Sequence, residues 1–540
     1  MRTGTVSPGQ TKARRDAGKS ALLLQAAVQE HRAGRLGEAA VLYRRLLKAQ
    51  PRHPDALHLL GLVEHARGAH AEALRLVERA IAAAGHVAAF HVAHGTIFAA
   101  LDRSEAATEA LHRALGIDPG HAEAWNTLGN LYQTAGDRTA AEAAYRQALV
   151  LRPEYPEALS NLGSALRAQG RLEDAEAALR RAIALRPTYA NALANFGLVL
   201  QEQARWTEAL AAYDQALATD PGHPAAHGNR GMLLLLLGRM EEGFGEYEWR
   251  WQMPGFTTPG RTFTQPLWDG ERRPGETVFI HAEQGLGSAI QFVRYLAPAA
   301  ARGVRVILEC QPPLRQLFRQ SLTGPDGPVG HLITKGEPLP AFDRQAPLMS
   351  LPHLLGTTLA AIPAEVPYLC AADGDVADWQ ARLEGATRPR IGLVWAGNRR
   401  HENDRNRSMP AVALAKLISG CDAAFFSLQI PASADDLAAF PSGRVTDLAP
   451  HLPDFAATAA ALHALDLVIS VDTATAHLAG ALGRPAWLLL PFIPEWRWLL
   501  DRADSPWYPS LRLFRQTSPG DWGGVIDRVA AALHPWAARR

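Results

Sequence analysis

The chain has 540 residues, with 55 Lys and Arg against 54 Asp and Glu and a formal net charge of +1 at pH 7. This length exceeds what one hydrophobic core supports, so several domains are expected. The near balance of charge argues against a general binder of nucleic acid or of membrane surfaces, because such proteins carry a basic excess. Cys310, Cys370 and Cys421 lie far apart, which indicates reduced thiols rather than a disulfide framework.

Residues 1–19 are basic and polar and are predicted to form a disordered N-terminus. The apolar run that follows, "ALLLQAAV", is short and fits the first repeat described below, so a cleaved signal is not expected. The runs "MLLLLLG" and "AWLLLPFIP" are too short for a membrane span, and the second contains prolines. The sequence therefore predicts a cytoplasmic protein without a membrane span.

A period of 34 residues runs from near Ser20 to a seventh, partial copy that begins at Pro224. The small residues of the pattern allow close helix contact, and its proline ends the second helix of each copy. We therefore predict a superhelix of helix pairs, an α-solenoid with a concave groove, over residues 20–252. In the copy at residues 122–155, the slots of the tetratricopeptide (TPR) pattern hold Trp125, Leu128, Gly129, Tyr132, Ala141, Tyr145, Ala148 and Pro153.

The sixth position of each repeat lies on its first helix and holds asparagine in the last three copies, as Asn161, Asn195 and Asn229. A carboxamide is both a donor and an acceptor, so a row of them can bind the backbone of an extended peptide without reading its side chains. This row is a candidate peptide-binding site. The alternative is that these asparagines are ordinary exposed helix surface.

The composition changes after Gly238. The segment "EEGFGEYEWRWQM" is rich in aromatic residues, and residues 253–275 have the composition of a linker. Trp249, Trp251 and Trp268 are expected to pack the end of the solenoid against the next domain, because a terminal repeat must be capped. Stacking on a sugar is the alternative role for these side chains.

From Thr277 onwards, strands alternate with helices, which predicts parallel sheets covered by helices on both faces. "TVFIHA" and "VRVILEC" are the first predicted strands of an N-terminal lobe over residues 276–388. "RIGLVWAGN", "AAFFSLQ", "LDLVIS", "AWLLLP" and "LRLFRQ" supply strands of a C-terminal lobe over residues 389–540. Two Rossmann-like lobes of this kind bind a ligand in the crevice at the carboxyl ends of their strands.

Two polar segments follow strands of the C-terminal lobe. "WAGNRRHENDRNRSMP" contains Arg399, Arg400, Arg405 and Arg407, and guanidinium groups suit pyrophosphate oxygens. A solvated basic loop is the alternative interpretation.

The second segment begins with Asp472 and Thr473, after which a helix begins with small residues. Amides at a helix start attract anions, and small side chains let a phosphate approach. Asp472 either caps this helix or binds a hydroxyl of a donor. His477 lies one turn into the helix, where a structural role is the alternative.

The stretch "DLVISVDTATAHLAGALGRP" resembles the Asp-Thr-x-x-x-His signature of heptosyltransferase-like glycosyltransferases, which have a two-lobed GT-B fold. The TPR array followed by "YEWRW", "LWDGE", "HAEQGLG", "IQFVRY", "GLVWAGN", "NDRNRS" and "FFSLQ" resembles bacterial TPR–glycosyltransferase proteins. Its layout is similar to that of O-GlcNAc transferases, in which a TPR superhelix with an asparagine ladder presents protein substrates to a GT-B domain. Some bacterial relatives with this layout are flagellin glycosyltransferases.

The resemblance implies a nucleotide-sugar co-substrate in the C-terminal lobe, a hydroxyl of a protein such as flagellin as acceptor, and no metal cofactor. Asp472, Thr473 and His477 are expected to face the nucleotide and the diphosphate. Arg405 and Arg407 would offset the charge of the leaving diphosphate. Asn398 and Gln429 are further candidates at neighbouring strand ends.

One position departs from the family pattern. Relatives have Gly-Asp after the first strand, and that acid is the expected general base, whereas Ser288 occupies the slot here. A serine hydroxyl does not accept a proton as a carboxylate does, so Glu283 is the candidate substitute, with His281 and His401 as others. The alternative is a TPR scaffold that binds partner proteins and whose transferase domain is weak or inactive. Transfer to a lipopolysaccharide sugar is a third hypothesis, although a helical groove suits a peptide better.

Overall fold

The computed structural model describes residues 8–253, 255, 256, 258, 260–399 and 403–539, without the side chains of residues 8–17. The chain divides into two compact units, residues 1–221 and residues 222–540. The seventh repeat, which the sequence assigns to the solenoid, therefore belongs to unit 2. Each unit is described by itself below.

Unit 1 is helical over its described residues. The first helix includes residues 8–19, so the predicted disorder of residues 1–19 does not hold for them, and residues 1–7 lie outside the described residues. The helices are α1 (Pro8–Arg32), α2 (Leu36–Ala49), α3 (Pro54–Ala66), α4 (His70–Ala83), α5 (Ala88–Ala100), α6 (Ser104–Ile117), α7 (Ala122–Thr134), α8 (Arg138–Leu151), α9 (Pro156–Ala168), α10 (Leu172–Leu185), α11 (Ala190–Glu202) and α12 (Trp206–Thr219).

The helix boundaries repeat with the predicted period. The odd-numbered helices from α3 to α11 begin every 34 residues, and so do the even-numbered helices from α2 to α12. Each odd-numbered helix packs closely against the helix that follows it. The prediction of a solenoid built from 34-residue helix pairs is therefore confirmed.

A glycine in the first helix of a repeat lets the second helix approach. A Cβ atom built on Gly129 of α7 would lie 2.5 Å from Cε1 of Tyr145 on α8, and one on Gly197 of α11 would lie 2.4 Å from Cε1 of Tyr213 on α12. Both tyrosines are fully buried. The repeat therefore pairs the smallest residue of one helix with a ring on the next, and this pair sets the separation of the two helices.

Charged side chains tie successive second helices together. Glu142 of α8 accepts hydrogen bonds from Gln169 and Arg171, each at 2.8 Å. One repeat later, Glu176 of α10 accepts from Gln203 at 3.0 Å and from Arg205 at 2.9 Å. Burial opposes ionisation of Glu176, yet the hydrogen bonds from Arg205, Arg180 and Gln203 lower its pKa to about 2. The repeat thus recurs in its polar contacts as well as in its core.

Unit 2 begins with the seventh helix pair and continues as alternating strands and helices. Its elements are α13 (Pro224–Leu236), α14 (Met240–Tyr247), β1 (Thr277–His281), α15 (Leu286–Phe292), α16 (Leu296–Ala300), β2 (Arg305–Cys310), α17 (Arg315–Leu322), β3 (Val329–Thr334), β4 (Arg344–Pro347), α18 (Leu351–Leu354), α19 (Asp373–Arg382), β5 (Arg390–Val394), α20 (Asp404–Arg407), α21 (Ala415–Ser419), β6 (Ala424–Ser427), α22 (Ala434–Ala438), β7 (Val445–Asp447), α23 (Phe455–His463), β8 (Leu467–Val471), α24 (Ala474–Ala481), β9 (Ala486–Leu490), β10 (Leu511–Arg515) and α25 (Trp522–Ala537).

The strands form two parallel sheets, one in each predicted lobe. The first has the order β3-β2-β1-β4 and the second the order β10-β9-β8-β5-β6-β7, with every pair of neighbours parallel. The central strands β5, β8 and β9 are buried along their whole length. The predicted alternation is therefore confirmed. The sequence pattern does not indicate strands β3, β4 and β7, because they are polar or partly exposed and lie at sheet edges.

The predicted linker packs on the first sheet. The backbone N–H of Trp268 donates to the carbonyl of Gln345 in β4 at 2.8 Å, and the indole is completely buried. Trp249 stacks on His227 of α13, with ring centroids 4.1 Å apart. Trp249 and Trp268 thus both pack within unit 2, the first on α13 and the second on the first sheet. Of the helices that the structure describes, none combines the length and apolar character needed to cross a bilayer.

We expect Gly129→Ala to destabilise the protein by about 1–3 kcal/mol, because the new methyl group meets the ring of Tyr145 in a close-packed core. Gly116→Ala on α6 is the matched control, since a Cβ atom there meets nothing within 4 Å. The control should leave stability unchanged or raise it by up to about 1 kcal/mol through helix propensity. Urea denaturation followed by circular dichroism measures both. Equal effects of the two substitutions would contradict the packing role of Gly129.

Candidate functional site

The carboxyl ends of four neighbouring strands meet at one edge of the second sheet. The strands β6, β5, β8 and β9 are adjacent and parallel, so the residues that follow them lie along the same edge. Asp472 and Thr473 follow β8, and Gln429 closely follows β6. The loop after β5 carries Asn398 and leads to α20 with Arg405 and Arg407. The topology thus gathers the predicted donor-binding residues at one edge.

Helix α24 begins at this edge with an extended residue, Thr473, whose Oγ1 lies 3.0 Å from Oγ of Ser470. His477 is buried one turn further on. Its Nε2 lies 3.8 Å from Oδ1 of Asp472, and its Nδ1 lies 2.9 Å from the hydroxyl of Tyr508. The residues of the sequence signature, Asp472, Thr473 and His477, therefore lie together, and we call them the Asp472 cluster.

The imidazole of His477 is held as a neutral group. Burial lowers its pKa well below the ordinary value, and the charges of Arg497, Arg294 and Arg407 lower it further. The ring stacks on Trp498, with centroids 5.2 Å apart. His477 is therefore a positioned hydrogen-bonding group rather than a cation that would neutralise a diphosphate.

Arg407 connects the loop after β5 to the end of β8. Its Nη1 donates to the carbonyl of Asp472 at 3.4 Å, and its guanidinium lies over Gly397, where a Cβ atom would approach Nη2 to 2.6 Å. Only glycine at position 397 leaves room for this arrangement. Arg407 is thus the cation that the fold places beside the Asp472 cluster.

The other candidates differ in exposure. Arg405 and Asn398 are exposed. Gln429 is buried, and its Oε1 accepts from the backbone N–H groups of Trp395 at 3.2 Å and Ala396 at 2.9 Å, so it shapes the loop after β5. Arg400 and His401 lie outside the described residues.

The two lobes meet beside this edge. A Cβ atom at Gly287 of α15 would lie 3.0 Å from Cδ2 of His477 and 3.4 Å from Cα of Ala474. The starts of α15 and α24 are therefore in direct contact, and a larger residue at position 287 would separate them.

Ser288 follows Gly287 and faces an arginine of the other lobe. Arg497, which is 7% exposed, donates from Nη2 to Oγ of Ser288 at 3.0 Å and from Nε to Oε1 of Gln291 at 2.5 Å. Its Nη1 forms an ion pair with Glu495. The serine in the slot of the expected acid is thus hydrogen-bonded to a cation, which orients its hydroxyl but gives it no capacity to take up a proton.

Glu283, the predicted substitute for the general base, lies in the interior of unit 2 and is not accessible to a substrate. Its side chain is completely buried, with Oε1 2.7 Å from Nη2 of Arg250 and Oε2 3.0 Å from Nε of the same residue. The backbone N–H of Met349 also donates to Oε1, at 3.1 Å. A general base must reach the hydroxyl of its substrate, and these contacts enclose the carboxylate. Glu283 is therefore part of a buried ion pair that joins the segment after α14 to the N-terminal lobe.

His281 is enclosed as well. Its Nε2 lies 3.2 Å from Oε1 of Gln345, its ring packs against Phe263 and Phe279, and burial lowers its pKa to about 4. His281 is thus neutral at physiological pH and lies in the interior of the first sheet rather than at the edge of the second.

Glu495 and Arg497 belong to this cluster, although sequence reasoning missed them. They lie in the segment after β9, which ends at Leu490, although Asp472 follows β8 immediately. The prolines and tryptophans around them, "PFIPEWRW", give the segment the pattern of an interrupted apolar run. Polar residues after a buried strand are the signal that could have identified them.

The asparagine row of unit 1 is aligned from repeat to repeat. Nδ2 of Asn161 donates to Oδ1 of Asn126 and to Oδ1 of Asn130, both at 3.0 Å, and Nδ2 of Asn195 donates to Oγ of Ser160 at 3.2 Å. Asn161 and Asn195 are only partly exposed, which differs from ordinary helix surface. Asn229 lies on α13 of unit 2 and is buried.

Comparisons with known proteins identify the repeats. The family described as the C-terminal TPR domain of cilia and flagella-associated protein 70 matches residues 3–232. Protein FlbA of Caulobacter vibrioides is 28% identical over 326 residues, which cover 55% of this chain and 53% of FlbA. The chain therefore spans about half the length of this relative.

Several solved structures are similar to parts of this chain. The Cut9–Hcn1 hetero-tetramer of APC/C matches 40% of this chain and 42% of that chain, with 19% identity and a TM-score of 0.37. PilW, described as a type IV pilus biogenesis factor, matches 38% of this chain and 96% of its own, with 19% identity and a TM-score of 0.35. A thermophilic TPR protein of Thermus thermophilus matches 34% of this chain and 98% of its own, with 26% identity and a TM-score of 0.32.

The helix pairs and their 34-residue register are those of TPR repeats, and the family match covers the same part of the chain. Unit 2 adds two parallel α/β sheets to this scaffold.

We expect Glu283→Gln to destabilise unit 2 by about 1.5–3 kcal/mol, because buried Arg250 loses one of its two carboxylate partners and keeps only Glu248. Asp269→Asn, which removes the carboxylate of the exposed pair with Arg273, is the control and should leave stability nearly unchanged, because solvent screens that pair. Urea denaturation followed by tryptophan fluorescence measures both. A Glu283→Gln protein of unchanged stability would show that the ion pair does not hold these segments together.

Proposed function

We propose that this protein is an interaction scaffold whose TPR unit binds an extended segment of a partner protein. The observation that carries the proposal is the aligned row of Asn161 and Asn195 on successive first helices. The hydrogen bonds that align the row use the amide nitrogens, so each carboxamide oxygen can accept a backbone N–H of a bound segment. A row spaced by one repeat suits the regular spacing of an extended backbone and tolerates different side chains.

The second candidate is the transfer of a sugar from a nucleotide-sugar donor to a hydroxyl of the protein held by the repeats, flagellin being one such acceptor. The observation that favours it is the cluster of Asp472, His477 and Arg407 at the carboxyl edge of the second sheet. Arg407 would stabilise the negative charge of the departing diphosphate. Asp472 would accept hydrogen bonds from hydroxyl groups of the donor, and the neutral His477 would hold Asp472 in place.

The scaffold proposal is tested with peptides selected from a random phage-displayed library on the full chain. We expect the double variant Asn161→Ala/Asn195→Ala to weaken their binding by about tenfold to thirtyfold, the loss for two hydrogen bonds of about 1 kcal/mol each. Asn191→Ala, at an exposed position of α11, is the control and should bind as the natural chain does. Unchanged affinity in the double variant would show that the asparagine row does not bind the peptide.

The transferase proposal is tested by calorimetry with UDP and GDP on the full chain. We expect binding of at least one of them, weakened about tenfold or more by Arg407→Gln through loss of a charge-assisted contact. Arg388→Gln, an exposed arginine just before β5 and thus at the opposite end of that strand, is the matched control and should retain the affinity. If neither nucleotide binds, the second candidate is wrong and the scaffold proposal stands alone.

A further inference from the structure

A carboxylate that the sequence pattern does not single out lies near the edge of the second sheet that carries Asp472. Glu495 follows β9, the neighbour of β8 in the second sheet, so it lies on the same edge as Asp472. Its Oε2 accepts from the backbone N–H of Arg497 at 2.9 Å, and its Oε1 pairs with the guanidinium of the same residue. A carboxylate has about four acceptor positions, so these bonds leave others free.

Exposure distinguishes Glu495 from Glu283. The side chain of Glu495 is 30% exposed, whereas that of Glu283 is 0% exposed. Glu495 is therefore accessible to a hydroxyl from solvent, although most of its side chain is enclosed. Glu283 has no such access.

The guanidinium of Arg497 connects Glu495 to the position of the expected acid. One terminal nitrogen pairs with Glu495, and the other donates to Oγ of Ser288 at 3.0 Å. The carboxylate and the serine hydroxyl thus lie on opposite sides of one planar cation, one from each lobe. An acid at position 288 would contact the guanidinium of Arg497. In this chain the carboxylate beside that guanidinium is instead supplied by Glu495, from the other lobe.

Burial and the charge of Asp472 favour proton uptake by Glu495, against the opposing effect of Arg497. Burial raises the pKa of Glu495 to about 7, with Arg497 lowering it and the charge of Asp472 raising it. His477 of α24 is neutral, and Ser288 and Gln291 of α15 bring no charge. Glu495 is therefore protonated below about pH 7 and ionised above it. A group of this kind exchanges protons efficiently at physiological pH.

We propose that Glu495 is the proton acceptor for the hydroxyl that attacks the sugar, an inference that rests on the transferase proposal. The hydroxyl oxygen forms a bond to the anomeric carbon of the donor, and the bond from that carbon to the diphosphate oxygen breaks. The electron pair of the broken bond leaves with the nucleoside diphosphate. The hydroxyl proton passes to the carboxylate of Glu495 and from there to water. Ser288 orients Arg497, and Arg497 orients Glu495.

The experiment measures release of UDP and GDP from UDP- and GDP-linked hexoses by the full chain, with water as acceptor, across the pH range. We expect the rate to rise with pH through about 7 and then level off, because the ionised carboxylate is the active form. Glu495→Gln should lower kcat by about a hundredfold or more and abolish this rise, with UDP affinity unchanged. Asp504→Asn, which alters an exposed carboxylate paired with Arg502 in the same lobe, should retain both rate and pH profile.

A second variant separates proton transfer from a structural role. Ser288→Asp combined with Glu495→Gln restores a carboxylate beside Arg497, and we expect it to regain part of the lost rate. Full activity of Glu495→Gln, or no recovery in the double variant, would overturn this inference alone. If the natural chain binds UDP or GDP but releases neither from its hexose, both this inference and the transferase proposal are wrong.

Discussion

The buried guanidinium of Arg497 is the contact on which the arrangement of the two lobes depends. A buried cation is stable only when its donors are satisfied, and the partners of Arg497 come from both sheets: Glu495 from the second, Ser288 and Gln291 from the helix after β1. A second contact runs from the first lobe to the second. Arg294 of the first lobe is buried and donates to the carbonyl of Trp507 in the second lobe at 2.6 Å. Two reciprocal arginines thus join the lobes, and separation of the lobes would remove the bonds of Arg497 to Ser288 and Gln291 and the bond of Arg294 to Trp507.

The same requirement explains why the seventh repeat belongs to unit 2. Arg250, just after α14, is 1% exposed and is neutralised by Glu283 of the first lobe. Phe244 and Tyr247 of α14 also contact Trp496, at centroid distances of 5.7 and 6.4 Å. The segment from β9 to Trp498 therefore contacts both the seventh helix pair and the cleft.

The sequence predicted the structure best where a residue pattern repeats at a fixed spacing along the chain. The TPR slots recur every 34 residues because each repeat buries the same faces, so Gly129 and Tyr145 were identifiable without coordinates. Strands β1, β2, β5, β6, β8, β9 and β10 were found because buried parallel strands are continuous apolar runs. The short edge strands β4 and β7 contain too few apolar residues to be recognised, and they are strands because a central neighbour offers them hydrogen-bonding groups.

The sequence by itself determined the repeat register, the alternation of strands and helices, and the gathering of Asp472, Thr473, His477 and Arg407 at one sheet edge, because each follows from local periodicity or from strand order. Only the tertiary structure decided which carboxylate is buried in an ion pair and which reaches the cleft. Glu283 and Glu495 both follow a strand, but Glu283 is completely buried against Arg250, which comes from a distant segment of the chain, whereas Glu495 pairs with its near neighbour Arg497 and stays 30% exposed. The burial of Glu283 is set by that long-range contact, and for that reason it cannot be determined from the neighbours of Glu283 in the chain.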